Sequence, residues 1–253
     1  HYAPDQLAGT PLGTIGDDGS GILLGQSVGA ATGHMDNVSQ WRFINPPESF
    51  ARGVLVSSQG RRVCNEMLYG AQLAERIMER ADGQAWLLID SALVREALRE
   101  IGPHRAMWFQ SAAALLFLLL ARKRAATLPE LAHKLGMDPA VLAATVAEYN
   151  AHREQGNDPM GKPADHLAQL GEGKWYALDC RVDGLVRNPS ITLGGLEVDE
   201  NSGAVIHRNG HPIPGLYAAG RSAVGIASHS YVSGLSIAGC IFSGRRAGHN
   251  AAA

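Results

Sequence analysis

The sequence is poor in the residues that define several common protein classes. Of its 253 residues only 3 are cysteines, and Cys64, Cys180 and Cys240 have neither Cys-x-x-Cys nor Cys/His ligand spacing. This low, odd number of cysteines argues against a disulfide scaffold and against a metal site. It favours a reducing, cytoplasmic compartment over secretion.

Long hydrophobic runs and an excess of positive charge are also missing. The formal net charge is -2, and no basic stripe with interleaved aromatic residues is present, so nucleic acid is not an expected partner. The longest apolar run, 112–121, has about half of the roughly 20 residues that a membrane-spanning helix needs, which predicts no transmembrane segment. Arg122, Lys123 and Arg124 follow it. The pattern favours a buried helix with a basic C-terminal turn; the alternative is a lipophilic wall or a membrane-touching surface near a substrate entrance.

The arrangement of predicted elements indicates a mixed α/β plus α+β protein. With 45% hydrophobic residues, the chain can form one large or two modest domains. The predicted helices span 67–81, 93–101, 112–124, 128–135 and 140–153. The predicted strands span 85–90, 175–177, 191–193, 196–198 and 205–206, with a hairpin over 53–64. A helix-rich middle between two glycine-rich ends predicts that both ends join one nucleotide-binding domain around an inserted cap.

The last forty residues carry the most informative pattern. Residues 214–220 read as a turn and a short strand that ends in glycine, and Ser230 to Ser236 then lead into a helix rich in small residues. The N–H groups in the first turn of such a helix have no partner within the helix. They therefore form a receptor for an anion or a dipole.

Five motifs in order resemble those of the fumarate reductase/succinate dehydrogenase flavoprotein superfamily. They lie at 16–22, 60–66, 135–150, 192–196 and 214–220. The resemblance implies the C-terminal portion of a Rossmann-like FAD-binding domain with an inserted cap (catalytic) domain. It divides the chain into an FAD-binding segment 1–35, a cap 36–210 and a closing FAD-binding segment 211–253. The Gly-x-Gly-x-x-Gly segment that holds the ADP half of FAD is absent, so we expect that part of the domain to lie outside this chain.

The residues at the expected site indicate one branch of this superfamily. The branch that acts on dicarboxylates carries an arginine where this chain has Tyr231 and a histidine where it has Ile191. Without these cations a carboxylate substrate would be buried without a partner, which is costly. The Tyr-x-Ser-Gly sequence from Tyr231 to Gly234 is similar to the 3-ketosteroid dehydrogenases that oxidise the Δ4 bond of 5α-reduced steroids.

That resemblance implies a role for each site residue. Tyr231 would take a proton from the carbon next to a ketone, Ser233 would favour its anionic form by a hydrogen bond, and Tyr69 would close the site from the cap. The neighbourhood of Gly194 and Gly195 would offer a backbone N–H to the ketone oxygen. The residues implied to contact non-covalent FAD are Ala219, Gly220, Arg221, Gly234, Leu235, Ser236 and Ile237.

Purely structural interpretations remain open for these residues. Tyr231 could be a packed loop residue, Ser233 a helix cap, and Tyr69 part of the core. Glu66 is expected to be an exposed carboxylate on a hairpin, and His229 a surface histidine.

The sequence thus predicts an FAD-dependent oxidoreductase that introduces a carbon–carbon double bond α,β to a ketone. Its substrate would be neutral, hydrophobic and 3-ketosteroid-like, with an unspecified electron acceptor. One alternative is a fumarate reductase-like flavoprotein that reduces an enone or an unsaturated acid. Another is a truncated, non-catalytic fragment or binding module.

Overall fold

The computed structural model describes residues 2–4, 9–101 and 108–253, with Phe109 and Gln110 described by their backbone alone. The predicted segments 1–35 and 36–210 include positions 1, 5–8 and 102–107, which lie outside the described residues. The chain forms two compact units: His1–Ser39 together with Pro189–Ala253, and Gln40–Asn188. Both helices and sheets are present, as the mixed composition of elements predicts.

The first unit combines short strands with two helices. From its N-terminal segment come β1 (Thr10–Pro11), α1 (Ser20–Ser27), β2 (Thr32–Gly33) and β3 (Val38–Gln40). From its C-terminal segment come β8 (Pro189–Thr192), β9 (Gly195–Leu196), β10 (Ala204–Ile206), β11 (Pro212–Tyr217) and α8 (Leu235–Ala251). The last residue of β3 is the first residue of the second unit. Strand β8 lies between β1 and β3, while β2 pairs with β9 and β10 with β11 in antiparallel fashion. A small core is formed by Ala30, Leu196, Val205, Ala218 and Ala223.

The compact units divide the chain at Ser39/Gln40 and at Asn188/Pro189, and the segments 1–35, 36–210 and 211–253 stay a prediction about domains. Residues after 188 pack with the first unit because their strands find partners there: β8 pairs with β1, and β9 with β2. Residues up to Ser39 belong to the first unit because β3 continues the sheet of β1 and β8. Strand pairing, which is not visible in local composition, thus determines where each unit ends.

The second unit is built on one antiparallel sheet with the order β4-β5-β7-β6. Its elements are α2 (Glu48–Ala51), β4 (Val54–Ser57), α3 (Gly70–Ala81), β5 (Ala85–Asp90), α4 (Ser91–Glu100), α5 (Trp108–Leu119), β6 (Arg122–Ala125), α6 (Leu128–Leu135), α7 (Pro139–Gln155) and β7 (Trp175–Asp179). Every residue of β5 is buried, which explains its continuous apolar sequence. The predicted hairpin over 53–64 forms in part: its first arm is β4, and its second arm is reduced to a single bridge between Val56 and Arg62.

Side-chain caps fix where the helices of this unit begin. The Asp90 carboxylate accepts hydrogen bonds from the N–H groups of Ala92 and Leu93, both at 3.0 Å, and thereby starts α4. Helix α6 begins after Thr127 and α7 after Asp138, each with a proline in its first turn. Because such caps satisfy otherwise unpaired N–H groups, these three helices begin close to their predicted positions.

The predicted helix over 112–124 is wrong at its C-terminal end. Helix α5 stops at Leu119, and the N–H groups of Leu120 and Ala121 both bond to the Leu116 carbonyl oxygen, at 2.9 and 3.2 Å. The basic residues that follow form the edge strand β6, which pairs with β7. Pairing with an existing strand here outweighs the local helix preference of arginine and lysine.

Glu66 is also placed differently from its predicted surface position. It is 1% exposed, and its carboxylate accepts hydrogen bonds from the Leu55 N–H at 3.0 Å, from Arg62 at 2.9 and 3.0 Å, and from Lys162 Nζ at 3.0 Å. Arg62 also pairs with Asp158 at 2.5 Å. The result is a buried network of two cations and two anions. The surface prediction failed because Lys162 and Asp158, which complete the network, lie almost 100 positions away in sequence.

Candidate functional site

The first turn of α8 leaves backbone donors available. Gly234 precedes the helix with φ of 90°, in the left-handed region that favours glycine, and no side chain caps the helix. The Leu235 N–H bonds to the Val232 carbonyl oxygen at 3.2 Å. The N–H groups of Ser236 and Ile237 lie in the first turn of α8, where N–H groups have no partner within the helix. No acidic residue lies in this turn, so the positive end of the helix dipole can face a ligand there.

Tyr231 lies in the loop directly before this helix. It is half-buried, and its hydroxyl oxygen accepts a hydrogen bond from the Ser236 hydroxyl at 3.0 Å. Ser233, the predicted hydrogen-bond partner, is exposed instead. The catalytic roles of Tyr231 and Ser233 stay predictions, and the structure adds a contact between Tyr231 and Ser236, a residue implied to contact FAD.

The end of β11 packs against α8. The Gly220 N–H donates to Ser243 Oγ at 3.0 Å, and the Tyr217 hydroxyl donates to the Asn250 carbonyl oxygen at 3.1 Å. Ala219 is half-buried, and Gly220 has a left-handed φ of 59°. These contacts hold the end of the strand beside the helix.

Arg221, which is predicted to contact the cofactor, forms hydrogen bonds with other residues of the chain. Its guanidinium donates to the Thr192 carbonyl oxygen at 2.5 Å and to Asp17 Oδ2 at 3.1 Å. It thereby ties the segment after β11 to the residues before β9 and α1. Its side chain still keeps 40% exposure.

Gly194 and Gly195 are buried and allow close approaches of backbone. A Cβ on Gly194 would lie 2.6 Å from the His34 carbonyl oxygen, and one on Gly195 would lie 2.8 Å from the Ala223 carbonyl carbon. Gly195 is opposite Gly33 in the β2–β9 ladder, and the Glu197 N–H bonds to the Ala31 carbonyl oxygen two residues further on. Because hydrogen-bonded pairs alternate in an antiparallel ladder, we expect the Gly195 N–H to face Gly33.

Tyr69 belongs to the second unit. It precedes α3, is 41% exposed, and its hydroxyl accepts a hydrogen bond from Trp41 Nε1 at 3.3 Å. The core position that was one of its two interpretations is therefore not observed. The structure brings Tyr231, Gly234, Leu235, Ser236 and Ile237 together in the first unit, together with the end of β11.

Two further features near Tyr231 were not anticipated. The His229 and His34 rings meet edge to face with centroids 4.2 Å apart. Asn37 Nδ2 donates to the Ser228 carbonyl oxygen at 2.9 Å and so holds the loop before Tyr231. The signal for either contact is absent from local sequence, because the two partners are separated by about 190 positions.

A metal site and reactive forms of the two buried thiols find no support among the described residues. No group of His, Cys, Asp or Glu there could hold a metal ion. Burial raises the pKa of Cys64 to about 12 and that of Cys180 to about 11, so neither thiol is ionised at neutral pH. No helix in the described part of the chain has the length and apolar character needed to cross a membrane.

Comparison with known proteins places this arrangement among flavoproteins. The profile of the FAD binding domain family matches residues 26–236. The chain is 42% identical over 222 residues to a 3-oxo-5-alpha-steroid 4-dehydrogenase of Comamonas testosteroni, covering 87% of this chain and 41% of that protein. It is 27% identical over 201 residues to the fumarate reductase (cytochrome) of Shewanella frigidimarina, covering 79% of this chain and 32% of that protein.

Solved structures agree with these similarities. The 3-ketosteroid-delta4-(5alpha)-dehydrogenase of Rhodococcus jostii RHA1, solved in complex with 4-androstene-3,17-dione, superposes with a TM-score of 0.82 at 34% identity over 100% of this chain and 49% of that one. The chain thus spans about half or less of the length of these three relatives.

Proposed function

This chain belongs to the FAD binding domain family, and from that premise we propose that it carries the catalytic tyrosine of an FAD-dependent ketone dehydrogenase. The reaction introduces a carbon–carbon double bond α,β to the ketone of a neutral, hydrophobic, 3-ketosteroid-like substrate. The first unit then corresponds to the C-terminal portion of a Rossmann-like FAD-binding domain, and the second unit to the inserted cap. FAD is held non-covalently.

The first turn of α8 fits a flavin. The N–H groups of Ser236 and Ile237 suit the electron-rich edge of an isoalloxazine ring, and the turn carries no carboxylate that would repel it. Ile237 is 75% exposed beside these donors and offers apolar contact to a ring. Gly234 has open space where a Cβ would stand, so a planar group can approach the backbone there.

The observation that carries the proposal is the hydroxyl pair of Tyr231 and Ser236 at the entrance to that turn. Between Arg221 and Arg245 the sequence contains no arginine or lysine. A segment that carries a phenol and has no arginine or lysine beside it suits a neutral ketone better than a dicarboxylate. This supports a ketone dehydrogenase over a fumarate reductase.

The proposed mechanism divides the work between protein and cofactor. Bound FAD supplies a hydride acceptor. The Tyr231 oxygen takes the proton from the carbon α to the ketone, as a general base. The Ser236 hydroxyl, donating to that oxygen, stabilises the negative charge that the base must carry before it accepts the proton. A backbone N–H near Gly194 polarises the ketone oxygen; Gly194 is preferred over Gly195, whose N–H we expect to be used by Gly33.

A substrate panel tests the proposal. We expect the purified complete protein to transfer electrons from a saturated 3-ketosteroid to a dye acceptor and to form an α,β-unsaturated ketone detected by ultraviolet absorbance. Fumarate and acrylate, offered with a reduced dye, serve as the matched control for the opposite direction. Reduction of either acid without steroid oxidation would overturn the proposal in favour of a reductase, and no turnover of any of them would favour a non-catalytic protein.

The two serines near Tyr231 give a second prediction. We expect Ser236→Ala to lower kcat about 10- to 100-fold, since a hydrogen bond to a charged group contributes roughly 1.5–3 kcal/mol. Ser233→Ala serves as the matched control and should lose only a few-fold. Flavin absorbance of each variant separates loss of chemistry from loss of FAD. A larger loss in Ser233→Ala would make Ser233 the partner of the base.

A further inference from the structure

Helix α5 is apolar on both of its faces. One face packs inside the second unit through the buried side chains of Ala114, Phe117 and Leu118, and Ala121 continues it after the helix ends. The opposite side presents Leu115, Leu116 and Leu119, continued by Leu120 directly after the helix, and the last two are 64% and 67% exposed. We call these four leucines the α5 apolar face. A surface helix normally has a polar outer face, so this one is unusual.

A run of positive charge directly follows the α5 apolar face. Arg122, Lys123 and Arg124 form the edge strand β6, and the last two are exposed. Within the described part of the chain none of the three forms a salt bridge. The carboxylates on the neighbouring elements are already neutralised: Glu130 pairs with Lys134, and Asp179 with Arg181.

We propose that the α5 apolar face and β6 together dock on an anionic lipid surface. Leucines that enter the acyl boundary and cations that remain at the level of the headgroups are the two components of interfacial binding. With 12 residues α5 is shorter than a bilayer-spanning helix of roughly 20 residues, so in this proposal it lies along the surface. The inference uses only α5 and β6 and does not depend on the proposed chemistry.

Charge complementarity favours an anionic lipid surface over a second copy of the chain or a neutral apolar partner. A second copy of the chain would bring the same three cations to the interface, and like charges destabilise such a contact. Lys123 already donates to the Lys134 carbonyl oxygen at 2.7 Å and Arg122 lies over the Tyr176 ring, but a neutral apolar partner would leave the charge of Arg124 without a counterion. An anionic headgroup layer satisfies the leucines and the cations at once.

Vesicle co-sedimentation tests the inference. The complete protein is mixed with vesicles of phosphatidylcholine alone or with added phosphatidylglycerol, at low and high salt. We expect binding to the anionic vesicles that weakens with salt, and little binding to the neutral ones. The double variant Lys123→Gln/Arg124→Gln should bind about 25-fold more weakly, since each cation near the surface contributes about fivefold.

Matched variants distinguish binding through this surface from nonspecific binding to vesicles. Leu119→Glu should reduce binding at least tenfold, whereas Leu98→Glu, an exposed leucine of α4, should not. Arg99→Gln/Arg153→Gln, with the same change in net charge at other exposed positions, controls for overall electrostatics. Equal binding to both kinds of vesicle, no binding, or equal loss in the variants and their controls would overturn the inference. So would dimerisation that Leu119→Glu abolishes. Thermal unfolding of each variant verifies its fold, and the charge variants decide the outcome should Leu119→Glu not fold.

Discussion

Replacing Tyr231 by phenylalanine is expected to lower kcat by about 10²- to 10⁴-fold, the usual contribution of a positioned general base. The change removes one hydroxyl and retains the ring, so packing before α8 is preserved. The phenol oxygen is the proposed proton acceptor, and the Ser236 hydroxyl that donates to it at 3.0 Å would lose its partner. Steady-state oxidation of a 3-ketosteroid with a dye acceptor measures the effect.

A second tyrosine of the same unit provides the matched control. The Tyr217 hydroxyl donates to the Asn250 carbonyl oxygen, between β11 and α8, and is assigned no chemistry. Tyr217→Phe should therefore leave kcat near the wild-type value while costing about 1 kcal/mol of stability. Wild-type turnover in Tyr231→Phe, with FAD bound, would remove Tyr231 from the mechanism and leave the family assignment intact.

Replacing Glu66 by glutamine should destabilise the second unit by about 3–5 kcal/mol, since it breaks a buried ion network by removing one charged partner. Lys162 and Arg62 both donate to this carboxylate, and Asp158 alone cannot neutralise two cations. Burial already lowers the pKa of Lys162, and the Glu66 charge opposes that shift. Urea unfolding followed by circular dichroism measures the loss.

An exposed ion pair on α3 sets the scale for comparison. Glu79 pairs with Arg76 at the surface, and Glu79→Gln should cost no more than about 1 kcal/mol. Adding Lys162→Met to Glu66→Gln removes the surplus cation and should recover part of the lost stability. Equal, small losses of stability in Glu66→Gln and Glu79→Gln would contradict the assignment of Glu66 to a buried ion network.

Local signals in the sequence predicted much of the second unit. Strand β5 and helices α6 and α7 were predicted with nearly their observed bounds, because a continuous apolar strand and a capping residue before a proline act within a few positions. The end of α5 was mispredicted since β6 owes its strand geometry to β7, more than 50 residues later in the chain.

The candidate site shows the same division between local and distant information. A motif predicts a role for Tyr231, but its hydrogen bond with Ser236 depends on the left-handed turn at Gly234 and on the first turn of α8, which the motif does not reveal. The burial of Glu66 depends on Asp158 and Lys162, almost 100 positions away. Such contacts between distant segments follow from tertiary packing, which one sequence does not reveal.

The discontinuous composition of the first unit determines an order of events during synthesis. Strands β1 and β2 wait for β8 and β9, which leave the ribosome only after the whole of Gln40–Asn188 has been translated. The contiguous second unit can therefore complete its sheet before β1 and β2 meet β8 and β9. Closing a loop of that length is slow, so pairing of these strands is a late step at which a nascent chain would benefit from chaperones.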